Sequence, residues 1–245
     1  MMVTDLHPNL GRTLALIPAK AGSTRLPRKN IRPLRGVSLL GRTIRRAQQV
    51  GFVDRICVST EDEDVAAEAR RFGIDIPFMR PAHLARDPAG VVEVALHALD
   101  WFESQGEEYE TLLILLPTSP FCRVSDIEGA AATYVEQGVD FLMSVVKEVH
   151  SPLSSLILQT GRLTPLHPEW LNKTGARSEV ATPTIVRCNG AVTLVDVAAF
   201  RRERNYYGYP LAAYEMPPER SIDIDTELEF QFAEFLAERD PSLVD

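Results

Sequence analysis

Cysteine and histidine are both scarce in this chain, and neither is spaced to bind a metal. The 245 residues hold three cysteines, Cys57, Cys122 and Cys188, odd in number and with no C-x-x-C pair. That excludes a disulfide framework and a cysteine zinc site, and predicts reduced thiols in a cytoplasmic protein. His83, His97, His150 and His167 have no metal-ligand or triad spacing. Long apolar runs are missing too. The longest aliphatic stretch, Leu112 to Leu116, is far too short to span a bilayer and reads as a buried strand, so no membrane partner is expected. Met1 to Arg12 contains Asp5, His7 and Pro8 and no apolar core. Residues 1–11 are therefore expected to form a flexible tail and not a signal peptide. Positive charge is in deficit: 26 Lys and Arg stand against 34 Asp and Glu, for a net charge of −8. Such a balance argues against nucleic acid as the partner, because phosphate backbones reward basic patches. Ser59 and Ser119 sit in no nucleophile elbow, which leaves covalent catalysis without support.

What is present is a core. At 45% hydrophobic and 24% charged residues, the chain can build one α/β domain, expected over residues 12–240. Apolar runs at Leu14–Ile17, Ile56–Val58, Ile74–Phe78, Leu112–Leu116 and Phe141–Val146 read as strands. Helical spacing falls between them: Leu39 to Val50, Glu61 to Phe72, Val91 to Trp101, and a helix opened by Ser125-x-x-Glu128 and ending near Gly138. The alternation predicts a Rossmann-like, mostly parallel sheet flanked by helices. Right-handed crossovers then gather the loops after Ile17, Val58, Phe78 and Leu116 at the strands' carboxyl ends, where such sheets bind ligands. The rhythm breaks in residues 150–183, which carry Pro152, Pro165, Pro168, Gly161 and Gly175 and read as an irregular excursion, a lid or a subunit contact. Extended chain returns at Thr184–Val195 and near Leu211–Met216. Ile222–Ile224 reads as a short strand, and Thr226-x-x-Glu229 caps a last helix to about Arg239.

Two segments carry chemistry. The loop Ala19 to Asn30 places Lys20, Arg25, Arg28 and Lys29 within ten residues of an otherwise acidic chain, with Gly22 and Ser23 among them. Small residues let backbone N–H groups approach an anion, and the cations add point charges, as a triphosphate requires. Neither G-x-x-x-x-G-K-[ST] nor G-x-G-x-x-G is present. A solvated basic loop is the plainer alternative. The second segment is Ser221-Ile222-Asp223-Ile224-Asp225-Thr226. On a strand, Asp223 and Asp225 would share one side, and two carboxylates with substrate phosphates suit Mg²⁺. An exposed strand end leading into a cap is the alternative. Weaker signals are Arg80-Pro81, Pro117-Thr118-Ser119-Pro120, and Arg187-Cys188-Asn189-Gly190, where the glycine marks either a bulge or a close ligand approach.

Taken together, and in this order, these motifs resemble the acylneuraminate cytidylyltransferases, the CMP-sialic acid synthetases. Ile17-Pro18-Ala19-Lys20 to Lys29-Asn30 is similar to the family's signature loop, and Val58-Ser59-Thr60, Arg80-Pro81, Pro117 to Pro120, Asn189-Gly190-Ala191 and Ser221 to Thr226 fall where that family has them. The resemblance implies a nucleotide-diphospho-sugar transferase type of fold, with the excursion serving dimerisation. It implies that CTP and a small acidic sugar, a nine-carbon 2-keto acid, react to give a CMP-sugar and pyrophosphate. It implies that Lys20, Ser23 and Lys29 hold the triphosphate, that Asn30 and Arg80 face cytosine, and that Ala19 and Gly22 belong to the same nucleotide-binding set. Asp223 and Asp225 would bind Mg²⁺, with Lys29 they would form the catalytic set, and Leu116, Ser119, Arg187 and Asn189 would lie near the sugar. The chain departs from the family pattern at Lys20 (usually Arg), Leu116 (usually Gln), Pro88, Gly90, Cys188 and Glu179. Most departures fall on substrate contacts, so a legionaminic- or pseudaminic-type acid fits as well as sialic acid. The eight-carbon acid KDO, and a nucleotide-binding homologue without turnover, are the alternatives.

Overall fold

A computed structural model describes residues 10–23, 25–86, 88–170 and 183–244. Five strands of its central sheet come from the most apolar runs of the chain: β1 (Thr13–Pro18), β4 (Arg55–Ser59), β5 (Thr111–Ile114), β6 (Phe141–Lys147) and β9 (Val186–Asp196). With β10 (Leu211–Glu215) they form a six-stranded sheet in the order β10-β6-β9-β5-β1-β4. β4, β1 and β5 run parallel, as do β10 and β6, while β9 is antiparallel to both its neighbours. A two-stranded hairpin, β2 (Pro33–Leu34) and β3 (Val37–Ser38), precedes the first helix. The helices are α1 (Leu39–Gln49), α2 (Glu63–Arg71), α3 (Val91–Ser104), α4 (Val124–Gln137), α5 (Val197–Glu203) and α6 (Glu227–Arg239).

Alternation along β1 divides the core. Ala15 and Ile17 face a cluster with Leu40 and Ile44 of α1 and Ile127 and Ala130 of α4. Leu14 and Leu16 face the opposite cluster, with Ala95, Leu99 and Phe102 of α3 and Phe200 of α5. Period-two side chains on a fully buried strand give this two-faced packing. A third cluster joins Leu26 of the cationic loop, Ile224 between the two aspartates, Leu34, Leu39, and Phe230 and Ala233 of α6. This small core brings the two chemically loaded segments together.

Several expectations need correction. Ile74–Phe78 is no strand, and β4 is the sheet edge. Asp75 is exposed in that stretch and Pro77 has no N–H to give a ladder. Phe78 instead packs edge-on against His97, with ring centroids 4.8 Å apart. Ile222–Ile224 also lies outside any sheet, although the Ile224 N–H donates to the Thr118 carbonyl at 2.9 Å. Helix α4 begins earlier than Ser125-x-x-Glu128 implies. Asp126 accepts the Arg123 N–H at 2.9 Å and is buried against Arg220, so it and not Glu128 closes the box. The Thr226–Glu229 box forms as read: Thr226 Oγ1 accepts the Glu229 N–H at 3.3 Å, and the Glu229 carboxylate accepts the Thr226 N–H at 2.7 Å.

Among residues 150–170 the chain is partly regular. β7 (Leu156–Gln159) and β8 (Arg162–Pro165) form an antiparallel hairpin. Thr160 and Gly161 turn it with φ of 48° and 78°, the left-handed pair that two-residue hairpin loops favour. Glu179 lies outside the described residues, as do residues 1–9 of the expected tail. Leu10, at the end of that tail, is buried in the core.

A candidate active-site cleft at the carboxyl ends of the strands

β1 ends at Pro18, and the cationic loop leaves the sheet in a fixed course. The Ala19 N–H donates to the Ser59 carbonyl at 2.9 Å, the Ala21 N–H to Glu61 Oε1 at 2.9 Å, and Asn30 Nδ2 to the Lys20 carbonyl at 2.8 Å. A short 3-10 helix, Lys29–Ile31, follows. Beside the loop lies a cleft of about 340 Å³, whose lining includes Lys20, Lys29, Asn30 and Arg80 together with Leu116, Thr118, Asp223 and Asp225. Gly90 and Val91, at the amino end of α3, also line it.

Three of the loop residues expected in the nucleotide-binding set do not line it. The Ala19 side chain is buried in the core and its N–H is taken by β4. Ser23 turns inward, where its Oγ accepts the Leu26 N–H at 3.3 Å. A Cβ at Gly22 would meet nothing within 4 Å, so packing does not require glycine there. Nor do all four cations converge: Arg28 pairs with Asp64 at 2.6 Å on the surface, and Arg25 reaches Asp225 from outside the cleft. The chain's left-handed turn at Arg28, φ 58°, points these neighbours apart.

Lys29 is the centre of the charge pattern. Its Nζ lies 2.6 Å from Asp225 Oδ1 and 3.0 Å from the Ile224 carbonyl. Burial pushes the Asp225 carboxyl up, but the hydrogen bond and charge of Lys29, with Arg25, outweigh it and hold the group below the usual carboxylate range. Asp223 behaves oppositely. Burial raises it, the Asp225 charge adds to the rise, and a hydrogen bond from Thr118 and the charge of Lys29 oppose it. Its Oδ1 is buried with no hydrogen-bond partner. The two carboxylates line one cleft although no sheet holds them, because Ile224 between them is drawn into the third core cluster. An orphaned buried carboxylate oxygen beside a second carboxylate fits a hard cation that takes its other ligands from phosphate and water. Among the described residues no group of three or more His, Cys, Asp or Glu gathers as a closed metal site.

A second cavity of about 210 Å³ adjoins the cleft and shares Val91, Leu116 and Asp223 with it. Met143, Tyr206 and Tyr207 close its far side. Of the residues expected at the sugar, Leu116 lines both spaces. Arg187 lines neither space: it is exposed and pairs with Glu148 at 3.3 Å. Asn189 and Ser119 are buried behind the wall. The pairing of β6 with β9 slips here, since Met143 faces Thr193 but Val145 faces Cys188. Asn189 and Ser144 replace the missing ladder bonds: the Ala191 N–H donates to Asn189 Oδ1 at 3.2 Å and the Val192 N–H to Ser144 Oγ at 2.8 Å. The ladder is thus irregular here, as a bulge would make it. Asn189 Nδ2 also donates to Ser221 Oγ at 2.9 Å, two residues before Asp223. Gly190 sits at φ 72°, and a Cβ there would meet Leu116 Cδ1 at 3.2 Å.

A profile of the cytidylyltransferase family matches residues 14–229. The chain belongs to the cytidylyltransferase family. As a cytidylyltransferase it is 27% identical over 241 residues to the CMP-N,N'-diacetyllegionaminic acid synthase of Legionella pneumophila, covering 93% of this chain and 97% of that one. It is 26% identical over 225 residues to the pseudaminic acid cytidylyltransferase of Campylobacter jejuni, covering 92% and 96%. The N-acylneuraminate cytidylyltransferase of Escherichia coli O18:K1:H7 is 29% identical over 226 residues, which are 91% of this chain and 51% of that longer one. The fold is shared with a CMP:2-keto-3-deoxy-manno-octonic acid synthetase solved with CTP, at a TM-score of 0.68 and 16% identity over 94% of this chain and 100% of the other. The mixed, mostly parallel sheet flanked by helices is thus the fold of the nucleotidyltransferases. Among the described residues no helix is long and apolar enough to cross a membrane.

Two acidic residues at the site were not singled out from sequence. Glu61 accepts a loop N–H and faces Arg80, with Nη1 and Oε2 3.9 Å apart. Glu229 accepts the Asp225 N–H at 2.9 Å. The second was signalled by the capping box. The first follows Ser59-Thr60 at a strand's carboxyl end, but nothing in its local sequence separates it from the other acids that open α2.

Proposed function

We propose that the chain is a CMP-sugar synthetase, joining CMP from CTP to a nine-carbon 2-keto sugar acid and releasing pyrophosphate. One observation carries this reading: Lys20, Lys29, Asn30 and Arg80 line the same cleft as Asp223 and Asp225. The relatives above are named for legionaminic, pseudaminic and N-acylneuraminic acids, and the adjoining cavity offers such an acceptor a place beside Asp223. The acceptor's anomeric oxygen attacks the α-phosphorus, the bond from that phosphorus to pyrophosphate breaks, and the hydroxyl proton passes to solvent water. Positioning and charge stabilisation supply most of the rate in such transfers.

Lys20 and Lys29 act as point charges on the phosphates. Lys29 is held by Asp225 in the free chain and is placed to exchange that carboxylate for a phosphate oxygen. Arg80 and Asn30 face the base. Leu116 and Val91 exclude water between the two spaces. Asp223 and Asp225 would hold one Mg²⁺, which supplies Lewis-acid neutralisation of phosphate charge. The same reading makes the protein a cytoplasmic homodimer.

The test is pyrophosphate release with Mg²⁺, each nucleoside triphosphate in turn and a panel of 2-keto sugar acids. Release with CTP and one nine-carbon acid is expected. Binding of CTP without release for any acid would instead make the chain a nucleotide binder. In an active enzyme, Asp225→Ala should lower kcat/KM by roughly a hundredfold or more, the scale of a lost charge-stabilising group. Normal activity in that variant would contradict the metal site.

A further inference from the structure

Arg80 is an unusual residue in this cleft. Its side chain is 3% exposed, its Nε donates to Ser59 Oγ at 3.0 Å, and its Nη2 donates to the Ser59 carbonyl. Its backbone is pinned as well, with the Arg80 N–H donating to the Thr60 carbonyl at 2.8 Å. Burying a guanidinium requires a counter-charge. Glu61 supplies it, and the distance is informative: Nη1 and Oε2 are 3.9 Å apart. At that separation the carboxylate balances the charge without accepting an N–H. Glu61 Oε2 is itself buried with no hydrogen-bond partner. Its other oxygen is committed, accepting the Ala21 N–H at 2.9 Å in the phosphate loop.

We infer that Glu61 is a positioning residue for nucleotide recognition, coupling the phosphate loop to Arg80 through one carboxylate. Oε1 fixes the loop at Ala21. Oε2 neutralises Arg80 while leaving Nη1 its N–H groups for the acceptors of a pyrimidine base. The triphosphate end and the base end of the cleft are therefore set by the same side chain. Loss of Glu61 disturbs both ends of the nucleotide and leaves the acceptor cavity alone, since that cavity is lined by other elements.

The inference rests on the CTP reading of the cleft, and the experiment separates the two. Calorimetric titration of CTP and UTP needs no sugar acid and is run on wild type, Glu61→Ala and Glu61→Gln. The glutamine keeps an oxygen for the Ala21 N–H and removes only the charge facing Arg80. Expected is a roughly ten- to hundredfold loss of CTP affinity in Glu61→Ala, the scale of a typical coupling free energy between sites. In Glu61→Gln a smaller loss is expected, concentrated in the preference for CTP over UTP. In turnover, KM for CTP should rise in both variants, while kcat and the KM for the sugar acid stay within about threefold. A wild-type chain that bound no CTP would sink the proposed function itself. Tight wild-type binding with unchanged CTP affinity and unchanged CTP/UTP preference in both folded variants would overturn the role of Glu61 alone. So would a fall in kcat at constant KM. Should Glu61→Ala fail to fold, Glu61→Gln decides by its CTP/UTP ratio.

Discussion

At the scale of single residues, the cleft is organised by competition for carboxylates. Lys29 is 14% exposed and bonded to Asp225, and Arg25 bonds the same group from the solvent side. Asp223 has the opposite environment, with an unpartnered buried oxygen. Replacing Lys29 therefore does two things: it removes a phosphate contact and it strips Asp225 of its inner partner. Lys29→Met should lower kcat/KM for CTP by about two orders of magnitude or more, because the lost charge meets both ground and transition states. Steady-state kinetics on the folded variant checks this, and a change under about threefold would remove Lys29 from the site. Leu116 is the complementary case on the acceptor side. It lines both spaces and carries no polar atom on its side chain. A polyhydroxylated acceptor pressed against it leaves hydroxyls unpaired, at about 1–3 kcal/mol each. Leu116→Gln should consequently shift the preference toward N-acetylneuraminate by roughly tenfold in relative kcat/KM. No shift would mean that the acceptor does not contact this side chain.

At the scale of elements, the site depends on segments that are not themselves regular. Asp223 and Asp225 sit on chain held by three attachments: Ile224 in the third core cluster, its N–H on Thr118, and Glu229 accepting the Asp225 N–H. Upstream, Asn189 ties the β9 bulge to Ser221. Asn189→Ala leaves buried donors at Ala191 and Ser144 without their acceptor, and should cost about 1–3 kcal/mol per stranded group. A clear drop in Tm is the readout, and an unchanged Tm would show that the bulge does not need it. This arrangement also explains what was legible in the sequence. Strands β1, β4, β5 and β6 were readable because burial on both faces leaves short, bounded apolar runs. The Thr226–Glu229 cap was readable because its chemistry is local. The placements of the Ser23, Arg187 and Asn189 side chains were not, because they depend on which way a loop or a bulge turns its side chains. Ile74–Phe78 misled for a related reason: its apolar residues pack on helices without giving a ladder. The Asp223–Asp225 pairing survived the loss of its supposed strand, since Ile224 enforces the same alternation by packing alone.

At the scale of the whole molecule, the hairpin β7–β8 stands apart from the rest. It belongs to its own two-stranded sheet, separate from the six-stranded one. Such a ribbon is marginal in water by itself and needs a surface to lie on. Its apolar side chains face outward instead: Leu158 is 70% exposed and Leu163 is 61% exposed, with Leu156 and Ile157 beside them. A cluster of this kind marks an association surface. A second copy of the chain is the occupant that the proposed homodimer supplies, because a two-fold contact can bury the same ribbon on both subunits. Wild-type protein should then elute as a dimer in light-scattering chromatography. Leu158→Glu combined with Leu163→Glu should convert it to a monomer, since burying two added carboxylates per subunit costs far more than the ribbon gains. CTP affinity should hold in that monomer, because the cleft lies at the carboxyl ends of the central sheet and no residue of the ribbon lines it. A wild-type monomer at micromolar concentration would refute the dimer, and a double variant that stays dimeric would move the contact elsewhere on the surface.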